Sequence, residues 1–153
     1  MINPELLLED FLAVAELAQL RINRDQISVE SLPAPHRPPS RLPADKMAIY
    51  VFAYGDTTLK VGNAGSKSQA RYISQHYNAG SAPSTLAASL LKRGVEVGVP
   101  ELDKSSVSDW IKSHTDRINF VVDSKVGIDG LSLLEAFLHC RLKPAFEGFA
   151  SQR

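Results

Sequence analysis

At 153 residues the chain has room for one domain with a full core plus a modest extension. Hydrophobic residues make up 44% and charged residues 22%, the proportions of an ordinary folded domain, and no apolar run is long enough to span a bilayer. Lys plus Arg and Asp plus Glu both total 17, so the net charge is zero, which argues against a general nucleic-acid coat protein but leaves room for a local cationic surface.

In chain order, Asn3-Pro4 reads as a helix start, Asn capping and Pro suiting the first helical position. From there to about Leu20 the apolar residues Leu7, Leu8, Phe11, Leu12, Ala15 and Ala18 recur at helical spacing, with Glu5, Glu9 and Glu16 on another face. That stripe must be buried, either on the main domain, which we expect, or on a second copy in a homodimer. The acidic start lacks the basic flank of a secretion signal, and the single Cys140, expected in the core, cannot form an internal disulfide. Both features fit a cytoplasmic location. Residues 31–45 hold five prolines and read as an extended spacer, although Arg37 and Arg41 could follow a nucleic-acid backbone. Residues 1–46 are thus expected to form an N-terminal helix and arm, and 47–153 the main domain.

The main domain opens with the strand MAIYVFAY (47–54), turns at Gly55–Thr58, and returns through LKVG (59–62), a hairpin. Helices are expected over about 67–78, from Ser84 or Thr85 to about Arg93, and from Ser105 or Ser106 to about His114. Ile118–Asp123 reads as an apolar strand, Gly127–Gly130 as a turn, and the following segment as a helix ending near Leu142 before Pro144. This order gives a small α/β domain around a sheet that contains an antiparallel hairpin.

No zinc spacing, P-loop, dinucleotide fingerprint or calcium loop is present. From Leu59 to Val95 there are five cations (Lys60, Lys67, Arg71, Lys92, Arg93) and no acid, which is either a solvated face or an anion-facing surface. The informative pattern is Ala48-Ile49-Tyr50 on the first strand, Lys60-Val61-Gly62 on the second, Arg71 on the next helix and Glu135 on the last. Over Met47 to Glu147 this ordered set resembles the GIY-YIG nuclease superfamily. Ala48 stands for the first glycine, and Lys60 for the second tyrosine, as in some restriction endonucleases of that family. Glu147 stands near the family's late asparagine.

The resemblance implies an α+β fold with a three-stranded antiparallel sheet flanked by helices, and an endonuclease that hydrolyses DNA. It implies Tyr50 as general base, Lys60 sharing that task or placing the water, Arg71 on the phosphate, and Glu135 holding one Mg²⁺ or Mn²⁺. His76, five positions after Arg71, is a candidate acid–base helper or a surface histidine on an amphipathic helix. Double-stranded DNA is the expected partner, with Lys67, Tyr72, Ser84, Thr85, Lys92 and Arg93 as backbone contacts and a homodimer as a further expectation.

The residue types suit that chemistry independently. A carboxylate holds a hydrated Mg²⁺, and a guanidinium forks onto non-bridging oxygens. A phenol, with an ordinary pKa of about 10, serves as a base only where cations lower it. Each residue also has a plainer role: a strand aromatic, a solvent-facing lysine, a surface ion pair, and for Glu135 a capping box with Ser132. Against the last, Glu135 shares a helical face with Leu131, Leu138 and Leu142, where an acid without a partner is costly. A non-catalytic nucleic-acid-binding or interaction domain on the same scaffold is the alternative function. His36, His114 and His139 have no pattern around them.

Overall fold

The strand Lys46–Tyr54 is buried along almost its whole length, which a strand achieves only with neighbours on both edges and layers on both faces. In the computed structural model, which describes residues 1–82 and 84–146, the elements in order are α1 (Pro4–Leu17), β1 (Ile27–Leu32), β2 (Lys46–Tyr54), β3 (Thr57–Ala64), α2 (Gln69–Ile73), α3 (Leu86–Arg93), α4 (Val107–His114), β4 (Asp116–Asp123) and α5 (Gly127–Leu142). The fold is α+β. Its sheet has the order β1-β4-β2-β3 with antiparallel pairing throughout.

The sheet has four strands rather than three. The additional strand, β1, comes from the segment before the Pro-rich arm and pairs along β4 from Ile27↔Val122 to Leu32↔Arg117. Its apolar Ile27 and Val29 alternate with Ser28 and Glu30, as expected for an edge strand with one wet face. The N-terminal region is therefore part of the sheet, not an appendage to it.

Two cores cover the two faces. On one, α1 and α5 pack Leu7, Leu8, Phe11, Leu131, Leu134 and Leu138 against Ile49, Val51, Val61 and Phe120. The cis-docked first helix is thus what the structure shows, and Asn3 caps it by accepting from the Leu6 N–H. On the other face, α2, the 3-10 turn at Gln75–Tyr77, α3 and α4 bring Tyr72, Tyr77, Leu86, Leu90, Trp110 and Ile111 against Ala48, Tyr50 and Phe52.

Three local expectations change. The single helix over 67–78 is instead the five-residue α2 followed by a 3-10 turn at Gln75–Tyr77. The arm is not a loose spacer: His36 is buried, and the Leu42 backbone exchanges two hydrogen bonds with the Gln69 side chain. Finally, α5 begins at Gly127, so Ser132 and Glu135 lie in mid-helix and form no capping box. The helix ends at Leu142, where Lys143 turns into the left-handed region ahead of Pro144. Cys140 is exposed, not in the core, because it lies on the solvent side of α5. No helix among the described residues is long and apolar enough to cross a membrane.

Candidate active site

The hairpin register sets the site. Tyr50 lies opposite Gly62 and Phe52 opposite Lys60, so these side chains share the sheet face covered by α2 and α3. The Tyr50 ring lies across Gly62: a Cβ there would meet the ring carbons at 2.6–2.8 Å and the hydroxyl at 2.7 Å. The glycine of Lys60-Val61-Gly62 is thus required by close approach, and it lets the phenol reach the outer edge of β3.

There the Tyr50 hydroxyl meets His76 Nε2 at 2.5 Å and points to the Asn63 carbonyl at 3.3 Å. The other ring nitrogen, Nδ1, accepts the Leu86 N–H at 3.1 Å from the first turn of α3. A neutral imidazole that accepts at Nδ1 carries its proton on Nε2, so His76 donates to the phenolic oxygen. The imidazole is held neutral. Burial first, and then the charges of Lys60, Arg117 and Arg71, push its pKa down to about 3.

This shift has a measurable consequence. The unfolded chain takes up the His76 proton at about 6.5 and the folded one only at about 3. The stability associated with neutral His76 is therefore complete above pH 6.5 and drains away as the pH falls toward 3. His36 and His139, both lowered chiefly by burial, add in the same direction. The melting temperature should fall through this window, and His76→Gln should make the fall shallower. Equal slopes for the two proteins would remove His76 as a cause.

Lys60 is 4% exposed, and its amine donates to the Ser84 carbonyl at 2.6 Å. Its charge is felt by His76 on one side and by His139 of α5 on the other. Arg71 is exposed, makes no ion pair among the described residues, and acts on His76 through its charge. Glu135 belongs to the opposite sheet face, and Asn63 connects it to the phenol. The Asn63 side chain donates to Glu135 Oε2 at 2.6 Å while its backbone carbonyl faces Tyr50. His139 Nε2 lies 3.8 Å from Glu135 Oε1. The expected Tyr50, Lys60, His76 and Glu135 thus assemble around the edge of β3, with Arg71 close enough for its charge to matter.

The expected nucleic-acid contacts fare differently. Lys67, Lys92 and Arg93 are exposed, but Arg93 pairs with Glu96 at 2.8 Å and lies over the Phe146 ring, so its charge is already balanced. Tyr72 is buried with its hydroxyl on Glu30 at 3.4 Å, and burial together with Glu30 pushes its pKa up to about 12. It has no face to offer a phosphate. Thr85 is buried as the cap of α3, its hydroxyl accepting the Ala88 N–H, and the Leu86 N–H is taken by His76. These commitments leave the start of α3 poorly placed to bind an anion. Ser84 is exposed, and its carbonyl serves Lys60. Glu147 lies outside the described residues.

Two contributors lay outside the expected set. Asn63 sits in a small-residue stretch that reads as a turn, and only its pairing opposite Ile49 on β3 reveals its aim at α5. Arg117, at the start of β4, is 1% exposed. It donates to Asn119 Oδ1 at 2.8 Å, the Tyr72 carbonyl at 2.6 Å and the Tyr77 hydroxyl at 3.2 Å. Its guanidinium also lies 5.0–5.9 Å from the ring centroids of Tyr72, Phe52, Tyr50 and Tyr77. A buried cation without partners costs several kcal/mol, and a desolvated aromatic face returns about 2 kcal/mol. Nothing in its local sequence separates it from a surface arginine.

The Glu135 carboxylate is the hard oxygen donor of this group; the Asn63 amide presents its N–H to it and His139 presents an imidazole, so neither adds an oxygen ligand. Glu135 is 25% exposed at its side chain, open enough for a hydrated ion. No cluster of three or more His, Cys, Asp or Glu residues suited to a metal occurs among the described residues, so a closed all-protein cage is not built here. Compared with protein-family models, curated proteins and solved structures, the chain matches none of them.

Proposed function

We propose that this chain is a divalent-metal-dependent endonuclease of GIY-YIG type that hydrolyses DNA phosphodiesters. The observation that carries this is the hydrogen-bonded pair of Tyr50 and His76 at the edge of β3, with Lys60 and Arg71 acting on it and Asn63 linking it to Glu135. Such an arrangement provides a base, fixed positive charge and a carboxylate within one small region. To take the proton from the attacking water, Tyr50 must first give up to solvent the proton it points at the Asn63 carbonyl; the His76 Nε2–H then stabilises the phenolate. Lys60, fixed on the Ser84 carbonyl, supplies charge rather than a second base. Arg71, exposed and without an ion pair among the described residues, is available to fork onto the phosphate. Glu135 is the residue that would hold Mg²⁺ or Mn²⁺, which supplies charge neutralisation at the phosphate when bound.

The alternative, a non-catalytic nucleic-acid-binding domain, is favoured by the burial of Tyr50 and His76, 2% and 7% exposed. One experiment separates them. Purified protein incubated with supercoiled plasmid should nick it with Mg²⁺ or Mn²⁺ and stop on chelation. Binding of DNA with no cleavage under any divalent metal would leave only the alternative.

A further inference from the structure

We propose that Arg117 is a positioning residue for this site, its guanidinium seating the segment that carries Arg71 and His76 against the hairpin that carries Tyr50. The inference rests on the nuclease proposal only for its effect on cleavage; the seating itself is a matter of geometry. Residues 69–77 contain no long helix of their own: α2 is five residues, and the 3-10 turn after it is three. So short a segment gains little order from its own hydrogen bonds and must be fixed from outside. Arg117 does this from β4, where it lies opposite Phe52 of β2.

Its fork spans the segment. One donor reaches the Tyr72 carbonyl, next to Arg71, and another reaches the Tyr77 hydroxyl, next to His76. The third holds Asn119, which lies opposite Tyr50 across the β2–β4 pair. The same guanidinium packs on the Tyr50 ring with its carbon 5.5 Å from the centroid. Both members of the Tyr50–His76 pair are thus registered to one planar group. The Tyr77 hydroxyl is fixed in turn by His36 Nε2 at 2.7 Å, which brings the Pro-rich arm into the same network. Around His76 the charged and titratable groups are Tyr50 from β2, Lys60 from β3, Arg117 from β4 and Arg71 from α2. Arg117 is the one among them that touches both flanks of the segment.

Arg117→Met keeps the volume but leaves the Tyr72 carbonyl and Asn119 Oδ1 without their donor, so it lowers stability whether the role is structural or positioning. The state of the His76 ring is the readout that a purely structural role would not move. The test compares wild type with Arg117→Met and Arg117→Lys, using ring-nitrogen NMR on His76 and steady-state cleavage of a DNA duplex with Mg²⁺. In wild type the ring-nitrogen shifts should report a neutral His76 with its proton on Nε2. In Arg117→Met this signature should give way to mixed tautomers. Because a misplacement of about 1 Å costs roughly a hundredfold, kcat should fall by about that factor with KM within about threefold of wild type. Arg117→Lys, which keeps charge but not the fork, should lie between the two. If Arg117→Met does not melt cooperatively, the lysine variant decides. An unchanged His76 signature with full kcat in the folded variant overturns the proposal, as does a rise in KM alone. Should wild type not cleave DNA at all, the nuclease proposal fails while the His76 signature still decides the role of Arg117.

Discussion

Tyr50→Phe should reduce the rate of plasmid cleavage by about a thousandfold, within the range of roughly 10²–10⁴ contributed by a positioned general base, and leave DNA binding nearly unchanged. The substitution is close to ideal for isolating the hydroxyl. A phenylalanine ring lies over Gly62 as the tyrosine does, and its packing near Phe52 and Arg117 survives. What is lost is the oxygen that receives the His76 Nε2–H and faces the Asn63 carbonyl. The cost in stability follows from that. A buried imidazole N–H left without an acceptor costs about 1–3 kcal/mol, so the variant should melt somewhat lower yet cooperatively. Single-turnover cleavage, gel-shift affinity and thermal melting on one preparation make the check. Full cleavage by the phenylalanine variant would transfer the role of base to another group, and a proportionate loss of binding would make Tyr50 a contact residue instead.

That prediction also shows which parts of the site could be read from residues alone. Tyr50, Lys60 and Gly62 were singled out by the resemblance on a hairpin that the sequence does show, but their pairing is set by a register shift between Phe52 and Ala53 that the turn at Gly55 does not announce. Glu135 was legible as an acid beside an apolar stripe, and α5 places it there. His76 reads equally as a surface histidine on a single helix over 67–78, and only the short helix and 3-10 turn that form bring it onto Tyr50. Tyr72, expected as a backbone contact, is helical as expected but faces the core. It is the buried residue of α2, packed against the sheet with its hydroxyl on Glu30.

Arg117, Asn63 and β1 were not legible. The value of Arg117 depends on four aromatic rings drawn from β2, α2 and the turn after it, and no local pattern encodes such a long-range enclosure. Asn63 matters through a residue 72 positions away. The alternation of Ile27, Ser28, Val29 and Glu30 was a usable strand signal, but it is short and lies between an acidic helix and a run of prolines. Consequently the division at residue 46 reflects composition, while the sheet runs across it.

Glu135→Ala should abolish metal-supported cleavage, a loss of about a thousandfold or more, and should do so with little change in melting temperature. Two features of the structure separate those effects. The carboxylate is partly open, so its removal leaves no buried void, and Ala suits mid-helix well. The same carboxylate is held by the Asn63 amide, so its geometry would be set before any ion arrives, and no cluster of three or more candidate metal ligands among the described residues would replace it. His139 prefers softer company, and burial lowers its pKa. Binding measured directly, by Mn²⁺ titration with the protein alone, should show one site in wild type and none in Glu135→Ala, while gel-shift affinity for duplex DNA without metal stays within about twofold, since the lost group is an anion that repels phosphate weakly at best. If Glu135→Ala still bound Mn²⁺ and cleaved at the wild-type rate, the acid would be no more than the partner of Asn63. The metal would then have to be sought outside the described residues.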